Sequence, residues 1–128
     1  MTDIMQSEDR SALSTLAAAL RPLRESGSAA QMQMPISLVA TFLLVAQKEG
    51  RTVSELAKAA GITLAKMSRQ VADLSETNRY GAPGLGLIEQ RVEIYDRRFQ
   101  RSRLTEKGRA LIRQIAGAVQ GRRMAQAA

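Results

Sequence analysis

Between Gly86 and Leu104 the chain carries five arginines, Arg91, Arg97, Arg98, Arg101 and Arg103, against Glu89, Glu93 and Asp96. A guanidinium is a planar, permanently charged fork of donors that suits phosphate oxygens or the edge of guanine. Over the whole sequence 19 Lys plus Arg face 12 Asp plus Glu, a net charge of +7. That excess suits a polyanionic partner, although a merely solvated surface would carry it equally well. His and Cys are both absent. This excludes the usual zinc sites, histidine acid/base work, thiol nucleophiles, disulfides and thiol redox switches. Carboxylates, Ser, Lys and Tyr remain, but Glu55, Glu106 and the lysines have capping or surface explanations, and no catalytic constellation emerges. The expectation is a protein that binds and is not an enzyme, with no cofactor or metal.

The elements that would position these arginines follow from spacing. At 128 residues one domain is expected, small enough that burying surface against a second subunit would help it. Leu13, Leu16, Ala17, Leu20 and Leu23 recur at intervals of three and four, predicting a helix that stops before Ser26-Gly27 and that Pro22 kinks or ends early. SGSAAQMQM reads as a connector. Pro35 fits the first turn of a second helix, apolar nearly all round through Leu38, Val39, Phe42, Leu43, Val45 and Ala46 and stopped by Gly50. The apolar stretch 36–46 is shorter than the roughly 20 residues a membrane span needs. MTDIMQSEDR has no apolar signal-peptide core, so a soluble cytoplasmic protein is expected.

Thr52-Val53-Ser54-Glu55 is a capping-box pattern opening a short third helix to Ala60, and Gly61 supplies a left-handed turn. Thr63 caps a fourth helix, read over 63–79, with Leu64, Met67, Val71 and Leu74 on its buried side. Gly81 to Gly86 breaks the periodicity. Ile88, Gln90, Val92 and Ile94 then share a strand face, the chain turns at Asp96-Arg97-Arg98, and Phe99 to Leu104 returns, giving a hairpin over 87–104. Thr105 caps a last helix with Leu111, Ile112, Ile115, Ala116 and Val119 on one side and a fraying tail. The class is mainly α with a small β hairpin (α+β), organised as an N-terminal helix and connector (1–34), a winged helix-turn-helix (35–104) and a C-terminal helix (105–128).

Two short helices about a Gly turn, followed by a basic hairpin and another helix, are the parts of a winged helix. Val53 to Leu74, VSELAKAAGITLAKMSRQVADL, and Asp96 to Leu111, DRRFQRSRLTEKGRAL, resemble the MarR family of bacterial transcriptional regulators. The resemblance spans roughly Pro35 to Val119. Departures are a longer passage, Ser75 to Leu87, between the fourth helix and the wing, one helix after the wing in place of two, and polar Gln100 and Ser102 where apolar residues are usual.

The resemblance implies a homodimeric regulator of double-stranded DNA, most often a repressor. The N-terminal half of the fourth helix would enter the major groove, with Thr63, Ala65, Lys66, Ser68 and Arg69 nearest DNA. Leu64 and Ala65 could offer only apolar contact, such as to a thymine methyl. Arg97 and Arg98 at the wing tip would reach the minor groove, one of them inserting, and Arg101 on the returning strand would join them as a DNA-binding residue. By the same resemblance Asp96 pairs with Arg98 and holds the turn. The Leu and Ile stripes of the first and last helices would make the dimer contact. Lack of Cys removes oxidation sensing, and few aromatics argue against a phenolic effector, so a small-molecule effector is allowed but not indicated. Tyr80 fits an exposed loop, and Gly117 and Gly121 a frayed end or a close helix contact. Two alternatives stay open: a winged-helix assembly module meeting an acidic protein, and a replication or partition DNA-binding protein.

Overall fold

A computed structural model describes residues 6–30, 32–76, 80–96 and 99–127. In chain order these form α1 (Ser7–Ala29), α2 (Ile36–Gln47), β1 (Arg51–Thr52), α3 (Val53–Ala60), α4 (Leu64–Leu74), β2 (Ile88–Val92), β3 (Gln100–Leu104) and α5 (Glu106–Ala127). The strands make an antiparallel sheet in the order β1-β3-β2, with Ser102 opposite both Arg51 and Gln90. α2 is the centre of the core, as its all-round apolar sequence requires. Its Leu38, Phe42 and Val45 join Leu56, Met67, Val71 and Leu74 from α3 and α4, and Leu85, Leu87, Ile88, Leu104 and Leu111 close the cluster.

The sheet has one strand more than the expected hairpin. β1 is two residues long, too short to leave a periodic signal, and Gly50 at φ +96° turns the chain into it. Gly50 therefore does not stop α2, which ends at Gln47. α1 runs unbroken through Pro22 and past Ser26-Gly27 to Ala29, correcting both expected interruptions and giving the first part of the connector to the helix. Packing supplies the reason: Ala19, Leu23 and Gly27 are the buried face of α1, which lies along α5, and tertiary burial outweighs local propensity. Gly27 lies against the connector that follows α1, where a Cβ would stand 3.0 Å from the Met32 carbonyl oxygen.

β2 ends at Val92, leaving Ile94 88% exposed, and Phe99 precedes β3. α4 stops at Leu74, short of residue 79. Its end is capped by the returning chain, with the N–H groups of Gly84, Leu85, Gly86 and Leu87 donating to the carbonyls of Glu76, Asp73, Ser75 and Leu74 at 2.8–3.0 Å. α5 remains helical through Ala127, where fraying was expected. Its Ile112 and Ile115 are half-buried against the chain's own core, whereas Leu13, Leu16 and Leu20 of α1 are exposed.

Candidate nucleic-acid interface

α3 and α4 are built by local rules. The Thr52 hydroxyl accepts from the Glu55 N–H at 3.2 Å, and the Glu55 carboxylate accepts from the Thr52 N–H at 3.1 Å. The Thr52 hydroxyl also donates to that carboxylate at 3.0 Å, and the Glu55 carboxyl is held below its ordinary value by the Thr52 N–H most and then by this hydroxyl, with the charges of Arg101 and Lys48 adding and desolvation opposing. Gly61 takes the left-handed conformation at φ +70°, and the Ile62 N–H donates back to the Ala57 carbonyl at 3.1 Å. Thr63 then caps α4, accepting from the Lys66 N–H at 3.1 Å.

Met67, Val71 and Leu74 face inward, as their spacing predicts. Thr63, Ala65, Lys66, Ser68 and Arg69 are all exposed, so five residues singled out in sequence share the outer surface of one rigid helix start. Leu64 does not join the buried side: it is 54% exposed and belongs with Ala65 on the outside. Gln70 is the residue sequence reasoning missed. It is buried, its carbonyl accepts from the Thr41 hydroxyl, and its amide donates to Ser37 Oγ at 3.0 Å. Its place three after Met67 and one before Val71 was the available signal, since an inward position holding an amide calls for partners.

Arg97 and Arg98 lie outside the described residues, and so does the expected pairing of Arg98 with Asp96. Arg101 is described, and its guanidinium is turned to the protein. It bonds Glu93, donates to the Gly50 carbonyl at 2.8 Å and stands 3.8 Å from Glu55. The hydrogen bond and charge of Glu93 raise its pKa further, with Glu55 adding and desolvation opposing. Arg101 thus ties β3 to α3 and to the chain beyond β2. Arg91 pairs with Glu89 on the exposed sheet surface at 2.9 Å, and Arg103 is exposed. An open groove of about 550 Å³ separates α4 from the sheet, with Ser68, Ala72 and Glu76 on one wall and Gln90 and Gln100 on the other.

Behind this surface, two joints connect the winged helix to α5. Glu49 accepts from both terminal nitrogens of Arg109, at 2.9 and 3.1 Å, and from the Leu104 N–H at 2.7 Å. Residues 85–87 accept on the side away from α4: Lys107 Nζ reaches the Leu85 carbonyl, the Thr105 hydroxyl that of Gly86 and the Thr105 N–H that of Leu87, at 2.7–3.1 Å. The longer passage after α4 is therefore in its second half a structural strap. Tyr80 in its first half is exposed. Among the described residues no acidic, His or Cys group could hold a metal, and no helix is long and apolar enough to cross a membrane.

No protein-family model and no curated protein sequence matches the chain. Solved structures do. A MarR-like transcriptional regulator of Thermotoga maritima, Tm0816, is 23% identical with a TM-score of 0.64, over 94% of this chain and 80% of that one. The transcriptional regulator Tm0710 of the same organism is 14% identical with a TM-score of 0.66, over 86% and 68%. The transcriptional repressor CouR of Rhodococcus jostii, solved on a 23-mer DNA duplex, is 21% identical with a TM-score of 0.59, over 98% and 84%. At these identities the likeness is one of fold: the chain has the winged-helix fold of MarR-type regulators.

Proposed function

We propose that this chain is a sequence-specific regulator of transcription that binds double-stranded DNA as a homodimer and acts as a repressor in the cytoplasm. α4 reads the major groove and the wing reaches the minor groove. The observation that carries the reading is the outer face of α4, where Thr63, Ala65, Lys66, Ser68 and Arg69 stand exposed on a helix whose opposite face is buried. An α-helix fits the major groove, and Lys66 and Arg69 can serve phosphates or guanine there. The DNA-bound state of CouR, similar over nearly the whole chain, supports it. Arg101 enters this reading through the Glu93 and Glu55 contacts that hold the wing against α3, and Arg97 and Arg98 supply the wing's contact with DNA.

Selecting duplexes from a random pool with the purified protein, then measuring affinity across a salt series, tests the reading. An enriched sequence whose affinity falls steeply with salt is expected. A pool with no enrichment and no salt-dependent binding would overturn it.

A further inference from the structure

Gln70 is the one strongly polar side chain on the buried face of α4, flanked by Met67, Val71 and Leu74. Both ends of its amide are engaged, and both partners come from α2: the Thr41 hydroxyl donates to Oε1, and Nε2 donates to Ser37 Oγ at 3.0 Å. Ser37 and Thr41 are four residues apart, one turn of α2, so the amide spans two successive rungs of that helix. Apolar contacts between α2 and α4 are non-directional and would tolerate a small slide or roll. An amide held at both ends tolerates neither, because each bond has a narrow range of length and angle. A polar residue in an apolar seam is a known way of choosing one register at a cost in stability.

Arg69 precedes Gln70 and Lys66 lies one turn before it, so whatever fixes Gln70 fixes the angle at which those side chains leave the protein. We infer that Ser37, Thr41 and Gln70 form a register key that sets α4 on α2 and thereby determines DNA sequence discrimination. Gln70 is a positioning residue in this scheme, touching no DNA. The inference rests on the DNA-binding reading and adds to it the source of specificity.

The test uses the duplex selected by the wild-type protein and a scrambled duplex of equal length and composition. Replacing Thr41→Val together with Gln70→Leu removes both buried polar groups, so neither is left unpaired. The double variant is expected to melt at or above the wild-type temperature. Its preference for the selected over the scrambled duplex should fall at least about tenfold, the discrimination that about one base pair carries. Affinity for the scrambled duplex and the salt slope should stay as they were, since the charges are unchanged. Ser37→Ala, at the exposed end of the key, should lose part of the preference with little change in melting. Thr41→Ser, which keeps the hydroxyl, should retain it.

A folded double variant with wild-type discrimination overturns the inference while leaving DNA binding intact. Should the double variant fail to fold, unchanged discrimination in Ser37→Ala overturns it instead. Absence of any preference in the wild-type protein overturns both this inference and the reading beneath it.

Discussion

Gly84 lies directly against the end of α4, where a Cβ on it would stand 2.1 Å from the Ser75 carbonyl oxygen. Gly108, on α5, is pressed as tightly on the other side of the strap, its Cβ position 2.0 Å from the Leu87 carbonyl oxygen. No side chain fits at either contact without moving backbone. Gly84→Ala is expected to destabilise by about 1–3 kcal/mol, the usual cost of overpacking. Gly108→Ala should also destabilise, although the same change in an open helix gains up to about 1 kcal/mol. Gly117→Ala, with nothing within 4 Å among the described residues, should show that gain. Chemical denaturation of the three variants checks the ordering, and a wild-type midpoint for Gly84→Ala would contradict the close approach.

The Thr52–Glu55 box makes stability depend on acid. Glu55 has a folded pKa below the ordinary 4.5, so its contribution is complete above that value and is lost as pH falls through the lower folded one. Denaturation midpoints measured from about pH 6 down to about pH 3 should therefore fall more for the wild type than for Glu55→Gln. Thr52→Ala should cost about 1 kcal/mol near neutral pH, a typical value for a lost cap. Parallel acid limbs in wild type and Glu55→Gln would contradict this assignment.

Ser102 occupies the middle of the sheet, fully buried, and among the described residues its hydroxyl has no hydrogen-bond partner. Here the departure from an apolar residue costs stability. Ser102→Ala should raise the unfolding free energy by about 1 kcal/mol, since it removes an uncompensated polar group. A drop in stability would mean that the hydroxyl has found a partner.

Arg69 and Arg101 should separate cleanly. Arg69→Ala, on the exposed face of α4, is expected to weaken binding to the selected duplex by about 1–3 kcal/mol with unchanged melting, if Arg69 contacts a base. Arg101→Ala should lower the melting temperature, because Glu93, Glu55 and the Gly50 carbonyl lose their shared donor. Anisotropy titrations and melting curves on both variants check it, and equal melting for the two would remove the structural role of Arg101.

On α1, Leu16 is 55% exposed beside Leu13 and Leu20, the surface proposed to meet a second copy. Leu16→Glu should yield folded monomer, or a concentration-dependent loss of fold if the monomer is unstable. Ile115→Glu should unfold the chain more directly, because Ile115 packs on its own core. Sedimentation of Leu16→Glu as an intact dimer would exclude the α1 face from the interface.

What could be read in the sequence is what is decided within a few residues. The Thr52–Glu55 box, Gly61 and the Thr63 cap each depend on neighbours in the chain, and the helix-turn-helix followed from them. The end of α1 is decided by burial against α5, which no local signal at Pro22 or Ser26-Gly27 reports. β1 exists only because β3 returns beside it, and the contacts of Arg101 with Glu55 and Gly50 arise only on folding, so its charge is legible in the sequence and its neighbours are not. Gln70 shows the intermediate case, with its inward position legible and its partners on α2 not.

The strap of residues 84–87 gives the molecule a mechanical property. Its N–H groups are bound to the end of α4 and the carbonyls of residues 85–87 to the start of α5, so the two helices are tied to one bracket. A shift of α5 would therefore pull on the end of α4 through these bonds. If α4 reads DNA as proposed and two copies pair through α5, this bracket couples the spacing of the two α4 helices to the packing of α5, so a DNA site lengthened by one base pair should bind more weakly.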